Sequence, residues 1–235
     1  MKPLRAAARG LGELMVTLGV VLLLFLAWQL WWTDLTASRV QNQLTHELQS
    51  SWQPPHPGAT TTAGPTAAPT TPVEDPPLSL RDGQAFALIH IPRFGKGYVR
   101  PVLQGVELPV LDRGVGHYPD SADPGAVGNF AVAGHRVTYA KPFNLIAELQ
   151  PGDPIVVETR TAWFVYRVQR HVIVTPDRVD VIAPVPENPK AEPTERMMTM
   201  TACHPMFSAR ERYVVFSRLE TRIPKTAGVV PDVLK

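Results

Sequence analysis

The one cysteine of the chain, Cys203, lies in a stretch whose residues could support nucleophilic chemistry. Residues 197–216 read MMTMTACHPMFSARERYVVF, an apolar run that Pro205 interrupts and that becomes β-branched and aromatic again from Tyr213. Because proline cannot donate to a strand ladder, this pattern predicts two strands that pair as a hairpin. Antiparallel pairing would return Arg212, at the start of the second strand, to Cys203 at the end of the first.

The alternation of side chains along a strand separates the neighbours of Cys203. Thr201 and Cys203 fall on one face, whereas His204 would point to the other. His204 is therefore a poor candidate base. A single cysteine also excludes an intramolecular disulfide, so the thiol is either a buried packing residue or a reactive group.

A better proton carrier is His135, which follows the strand-like segment NFAVAG. A thiolate can attack a carbonyl, an imidazole can carry the proton, and the Arg212 guanidinium can stabilise the oxyanion that forms. The three residues are thus a complete set for acyl transfer. Taken singly, each also has a structural interpretation, as a core cysteine, a turn histidine and an edge arginine. No CxxC or HExxH spacing accompanies them, so we expect no metal and no cofactor.

The elements that must position these residues are short strands. From residue 80 onward, apolar runs are separated by turn residues, and only PFNLIAEL is typical of a short helix. This pattern predicts an all-β domain closed into a barrel or sandwich. The seven strand candidates are AFALIHIP, YVRPVL, NFAVAGH, PIVVETR, WFVYRVQRHVIV, MMTMTA and YVVFSRL.

The N-terminal part of the chain is typical of a membrane anchor. Residues 1–10 form a basic tail, and residues 11–32 hold a single charge, Glu13. Twenty-two helical residues rise about 33 Å, enough to cross a hydrocarbon core of about 30 Å. The stretch is too long for a cleaved signal peptide, and the basic flank predicts a cytoplasmic N-terminus with the remaining chain outside. The net charge of +2 is mild and dispersed, so a nucleic-acid partner is not expected.

The segments beyond the anchor divide by composition. The sequence of residues 33–52 predicts a helical juxtamembrane extension. The Pro-, Thr- and Ala-rich composition of residues 53–77 predicts a disordered linker. Residues 78–224 then form the folded domain, and 225–235 form a C-terminal tail. We expect the extension to lie outside the folded domain and the linker to hold that domain off the membrane.

Three segments together resemble the signature regions of sortases, the cysteine transpeptidases of Gram-positive cell surfaces. They are AVAGHR at 131–136, TMTACHP at 199–205 and Arg212 within RERYVVF. The longer string GVGHYPDSADPGAVGNFAVAGHR is most similar to class E sortases of actinobacteria. The resemblance covers about residues 80–222 and implies a barrel of about eight strands with one or two short helices. The eighth strand is expected near Leu108–Leu111.

The resemblance also implies a reaction. Cys203 corresponds to the nucleophile, His135 to the general acid and base, and Arg212 to the oxyanion clamp. An LAXTG- or LPXTG-type sorting signal on a secreted protein would be cleaved between Thr and Gly through a thioacyl enzyme and joined to a peptidoglycan precursor amine. Pilin polymerisation, another cysteine acyl transferase of the wall, and a non-catalytic wall-binding β-domain are the alternatives.

Two further residues are candidate substrate contacts. Tyr118, in the loop GHYPDSADP, could accept a backbone N–H from alanine at the second position of the signal, a hydrogen that proline lacks. Packing of the Tyr118 ring against Pro119 is an equally good interpretation. Thr201 is a candidate because it shares the Cys203 face.

Overall fold

The computed structural model describes residues 2–52, 78–225 and 229–235, so the predicted linker at 53–77 lies outside the described residues. A long helix, α1 (Lys2–Trp52), precedes eight strands that close into a barrel. The strands are β1 (Ala85–His90), β2 (Val99–Gln104), β3 (Val115–His117), β4 (Gly128–Ala133), β5 (Pro154–Glu158), β6 (Ala162–Val174), β7 (Arg196–His204) and β8 (Glu211–Pro224). The predicted all-β barrel of about eight strands is confirmed.

The strand order around the barrel is β1-β2-β3-β4-β7-β8-β6-β5, and β5 closes the barrel by pairing with β1. The pairs β2–β3 and β4–β7 are parallel, and the other pairs are antiparallel. This order makes β4, β7 and β8 immediate neighbours. It therefore places the candidate residues of the sequence on three adjacent strands.

The barrel interior is filled by one face of each strand. On β7, Met198, Met200 and Ala202 belong to the buried core cluster with Phe130 and Tyr166. Successive side chains of a strand alternate, so Thr201 and Cys203 lie on the opposite, outer face. The site is consequently built on the outside of the barrel, because its interior is occupied by packed apolar side chains.

The location of the eighth strand was predicted wrongly. Leu108–Leu111 forms a four-residue helix, α2, and the additional strand is β3, Val115–His117. Pro109 lies in the first turn of α2, where the missing N–H costs nothing, whereas it would remove a bond from a ladder. The segment PFNLIAEL is also less helical than predicted, since only Ile146–Glu148 forms a 3₁₀ turn.

Helix α1 is continuous because the chain has no proline between Pro3 and Pro54. Within it, Arg9–Leu26 has a mean hydropathy of 1.9 and is not buried against the barrel, so it is long and apolar enough to cross a membrane. The following half of α1 packs against β1 and β2. Ala37, Gln41 and Thr45 are buried there. The expectation that residues 33–52 lie outside the folded domain is therefore wrong.

Both residues that flank the predicted linker contact the barrel. The Lys225 ammonium lies 4.2 Å from the centre of the Trp52 ring, and the Leu78 N–H donates to Asp123 Oδ2 at 2.9 Å. Both flanks of the linker therefore lie against the barrel, whereas the proposed spacer role of residues 53–77 concerns a segment outside the described residues.

Candidate active site

Cys203 and Arg212 are cross-strand partners in the antiparallel β7–β8 pair. Residues directly opposite each other on one face have Cβ atoms about 4.5–5.5 Å apart. Both side chains are partly exposed on the outer face of the barrel. The predicted hairpin and its register are thus present.

His135 reaches the same level from the other side of β7. In the parallel β4–β7 pair, Ala133 lies opposite Thr201. His135 follows Ala133 by two residues and Cys203 follows Thr201 by two residues, so the two lie at the same level. The Gly134 N–H continues this pairing by donating to Thr201 O at 3.1 Å. The three strands β4, β7 and β8 therefore present histidine, cysteine and arginine at a shared end of the sheet.

Gly134 is required for the position of His135 because the Phe143 ring packs directly on it. A Cβ at residue 134 would lie 2.7 Å from Phe143 Cδ2, closer than real contacts allow. Phe143 is fully buried, and its N–H donates to His135 O at 2.9 Å. Any larger residue at 134 would move the backbone that carries the histidine.

The imidazole of His135 has two neighbours that the sequence did not indicate. Its Nε2 lies 3.2 Å from Asp112 Oδ1, and its ring stacks on Tyr139 with centroids 5.1 Å apart and an interplanar angle of 30°. The His135 side chain is 18% exposed and that of Asp112 is 33% exposed. A carboxylate on one ring nitrogen and an aromatic face together restrict the orientation of the imidazole.

The Arg212 guanidinium is oriented by the turn that precedes β8. Its Nη1 donates to Ala209 O at 2.8 Å and to Glu211 O at 3.0 Å. A guanidinium has five N–H donors, so these two bonds leave capacity for an acceptor held at Cys203. The arrangement suits stabilisation of a carbonyl oxygen that becomes negative.

Arg136 supports the end of β7 from beneath the site. The side chain is 7% exposed, and its Nη1 lies 3.4 Å from Cys203 O and 2.8 Å from His204 Nδ1. Arginine can only donate, so His204 Nδ1 accepts this hydrogen bond. His204 is thereby directed away from the thiol, in agreement with its predicted face. The position of Arg136 directly after His135 was the only sequence signal for it.

The side chains of Tyr118 and Thr201 meet on the outer face of the barrel, where Thr201 is the residue of β7 that precedes Cys203 on that face. Their hydroxyl oxygens are 3.3 Å apart, and Thr201 Oγ1 also lies 3.4 Å from Val132 O. If Thr201 donates to that carbonyl, the Tyr118 O–H donates to Thr201 and the phenolic oxygen keeps its lone pairs for a further donor.

The loop that carries Tyr118 is tied down by His117, which is 1% exposed. His117 Nδ1 lies 2.8 Å from Gln104 Oε1, and its Nε2 lies 2.9 Å from Ser121 Oγ. Burial lowers the pKa of His117 below its ordinary value. His117 is therefore a structural residue.

Among the described residues, no group of three or more His, Cys, Asp or Glu side chains is placed to hold a metal ion.

Comparison with known proteins identifies relatives of this chain. The model of the sortase domain family matches residues 89–220, more than half of the chain. Sortase SrtE1 of Streptomyces coelicolor is 39% identical over 97% of this chain, which spans only 61% of the length of that relative. Sortase SrtE2 of the same organism is 31% identical over 97% of this chain and 88% of its own length.

A solved structure extends the similarity to three dimensions. The crystal structure of sortase E1 from Streptomyces coelicolor with a tripeptide in the active site superposes with a TM-score of 0.61 at 39% identity. The match covers 67% of this chain and 100% of that one. The barrel and its C-terminal strands are thus shared with proteins of known fold.

Proposed function

The chain belongs to the sortase family, and on that basis we propose that it is a membrane-anchored cysteine transpeptidase acting on LAXTG- or LPXTG-type sorting signals. The observation that carries the proposal is the alignment of His135, Cys203 and Arg212 at one end of β4, β7 and β8. A nucleophile, a proton carrier and an oxyanion stabiliser are the groups that acyl transfer requires.

In the first half-reaction, the Cys203 thiolate attacks the carbonyl carbon of the threonine in the signal. The carbonyl oxygen takes the negative charge, which the Arg212 guanidinium stabilises by hydrogen bonding. The carbon–nitrogen bond to glycine then breaks, and the leaving amine takes a proton from the His135 imidazolium. The products are a thioester on Cys203 and a free glycine amine.

The second half-reaction reverses these roles. An amine of the peptidoglycan precursor attacks the thioester and gives its proton to the neutral His135 imidazole. The carbon–sulfur bond breaks, the Cys203 thiolate is restored, and the secreted protein is joined to the wall by a new amide. Asp112 and Tyr139 hold the imidazole that takes part in both steps.

Tyr118 and Thr201 are the proposed readers of the second position of the signal. With its own hydrogen directed to Thr201, the Tyr118 oxygen can accept the backbone N–H of an alanine substrate. A proline substrate would leave that oxygen without a donor in a partly buried cleft, a difference of about 1–2 kcal/mol or roughly tenfold in specificity.

The proposed location follows from α1. The apolar window Arg9–Leu26 spans the membrane, the basic residues before it keep the N-terminus in the cytoplasm, and the barrel lies outside. Secreted proteins that carry sorting signals are exposed on that side. Their signals and the lipid-linked wall precursor are the proposed partners.

The direct test uses the full-length protein in detergent micelles with LAETG and LPETG peptides and an amine acceptor. Mass spectrometry should detect cleavage between Thr and Gly and the new amide, and both should vanish in Cys203→Ala. His135→Gln should also be inactive, whereas His46→Gln, an exposed histidine of α1, should behave like the parent. Cleavage at any other bond, or activity in Cys203→Ala, would contradict the proposed function.

A further inference from the structure

The loop that follows His135 has an unusual backbone. Tyr139, Ala140 and Lys141 have φ angles of 51°, 60° and 49°, so three consecutive non-glycine residues lie in the left-handed region. Each such residue costs about 1 kcal/mol or more relative to ordinary conformations. A run of three persists only where surrounding contacts fix it.

The contacts that fix this loop come from helix α1. Gln41 Nε2 donates to Tyr139 O at 3.0 Å, and Asp34 Oδ1 accepts the Ala140 N–H at 3.3 Å. Asp34 Oδ2 also pairs with Lys141 Nζ at 2.7 Å. Each of the three left-handed residues is therefore held by a side chain of the helix.

The helix residues that contact the loop lie on one face of α1. Asp34 and Gln41 are seven residues apart, which places them two turns apart on the same side of α1. Ala37 lies between them, and its side chain, 5% exposed, allows the helix to approach the barrel closely. Gln41 is itself 2% exposed, so its amide is committed to this interface.

The consequence reaches the active site through Tyr139. Its ring stacks on the His135 imidazole, so the position of the ring depends on a backbone that α1 holds. Asp34 follows Leu26, the end of the apolar window, by eight residues, or about 12 Å along the helix. The contact with the loop is thus made close to the membrane.

We propose that the juxtamembrane half of α1 is a positioning element of the active site: Asp34 and Gln41 hold residues 139–141, and Tyr139 in turn fixes the imidazole of His135. The inference rests on the proposed function in that His135 is taken as the proton carrier. It means that the membrane anchor is part of the catalytic scaffold, so that activity depends on an intact helix as well as on an intact barrel.

The test uses the full-length chain in detergent micelles and two independent readouts. One is kcat and KM for the LAETG peptide with an amine. The other is the ¹³C–¹H signal of the His135 ring, assigned among the seven histidines by its loss in His135→Gln. The second readout reports the contact between helix and loop whether or not the peptide is a substrate.

Gln41→Met removes the amide donor but keeps the length of the side chain. We expect kcat to fall about fivefold to tenfold with KM within twofold, because small displacements of a catalytic group lower the rate of reaction more than binding. The His135 signal should shift as the Tyr139 ring current changes. Gln43→Met is the matched control, since Gln43 is exposed and bonds along the helix to Glu47, and it should leave both readouts unchanged.

Three further variants separate positioning from stability. Asp34→Ala should reproduce Gln41→Met, whereas Asp34→Asn, which keeps an oxygen for the Ala140 N–H, should retain at least half of the parent kcat. Tyr139→Phe keeps the stacked ring and should resemble the parent, and Tyr139→Leu should not. Should Gln41→Met fail to fold, Asp34→Ala gives the same comparison from a side chain that is 27% exposed.

The proposal is overturned if Gln41→Met and Asp34→Ala lower only the melting temperature, with kcat and the His135 signal as in the parent. It is also overturned if Tyr139→Leu changes neither readout. A parent that cleaves no peptide would instead contradict the proposed function, and the ring signal would still decide whether α1 acts on His135.

Discussion

Replacement of Arg212 by lysine isolates the role of the guanidinium. Lysine keeps the positive charge but replaces a planar fork with a single ammonium on a flexible stem. In the protein, Arg212 Nη1 is engaged by Ala209 O and Glu211 O while the remainder of the group can face the cross-strand partner Cys203. A lysine ammonium can make the turn contacts or reach the oxyanion, but it cannot do both with the same geometry.

The magnitude follows from the loss of one oxyanion donor, which costs about 2.7–4 kcal/mol, or a hundredfold to a thousandfold in kcat. Because lysine retains the charge, we expect Arg212→Lys at the lower end, with kcat reduced about a hundredfold and KM changed much less. The assay is steady-state cleavage of the LAETG peptide by the full-length protein. A smaller effect on KM is expected because the oxyanion exists only after attack.

Arg210→Lys provides the control, since Arg210 is exposed and lies two residues before Arg212 in the same turn. It should cleave the peptide at the parent rate. Normal turnover by Arg212→Lys, or a loss of activity in Arg210→Lys as large as that in Arg212→Lys, would contradict this prediction. Either result would assign the oxyanion contact to a different group.

Three other predictions concern neighbouring residues. Tyr118→Phe should lower the ratio of kcat/KM for LAETG over LPETG about tenfold, and Thr201→Val should lower it less; an unchanged ratio in Tyr118→Phe would assign the preference to pocket shape. Asp112→Asn should lower kcat by up to about fivefold with KM unchanged, because a partly exposed pair with His135 contributes about 0.2–1 kcal/mol; an unchanged kcat would show that Asp112 does not orient the ring. His117 has a lowered pKa in the fold, so its contribution to stability is complete above its unfolded pKa of about 6.5 and is lost as the pH falls. In urea unfolding between pH 7.5 and 5, the free energy of unfolding should therefore fall less in His117→Gln than in the parent, by up to about 1.4 kcal/mol per pH unit. Equal losses of unfolding free energy in the two proteins would contradict this.

The residues around Cys203 could be placed from the sequence because their structure is local. Pro205 ends one strand, and the β-branched residues after Arg212 begin the next, so the hairpin register follows from a short connection. The alternation of Met198 and Met200 with Thr201 and Cys203 also fixes which face is packed. Local patterns of this kind carry enough information to align two candidate residues of the site.

The contacts of His135 could not be predicted in the same way. Asp112 lies 23 residues earlier in the chain and reaches the imidazole only because β3 pairs with both β2 and β4. Asp112 directly follows the helix α2, which is four residues long and has no periodic pattern to detect. Contacts that depend on the closure of the barrel leave no trace in sequence spacing.

The docking of residues 33–52 was missed for a different physical reason. The buried residues of this segment are Ala37, Gln41 and Thr45, which are polar or small. Hydrophobic periodicity detects helices that bury large apolar side chains completely, whereas the docked part of this helix buries small and polar residues and makes hydrogen bonds and an ion pair to the barrel. A polar extension next to an apolar anchor therefore suggested exposure when the residues are in fact partly buried.

The intact mass of the full-length protein, quenched in acid during turnover of the LAETG peptide, shows whether cleavage proceeds through a thioester on Cys203. We expect an adduct equal in mass to the peptide fragment that ends in threonine. Fragmentation should locate this adduct on Cys203, hydroxylamine should remove it, and Cys203→Ala should neither carry it nor cleave the peptide. Cleavage between Thr and Gly that persists in Cys203→Ala, or an adduct on any other residue, would contradict this expectation.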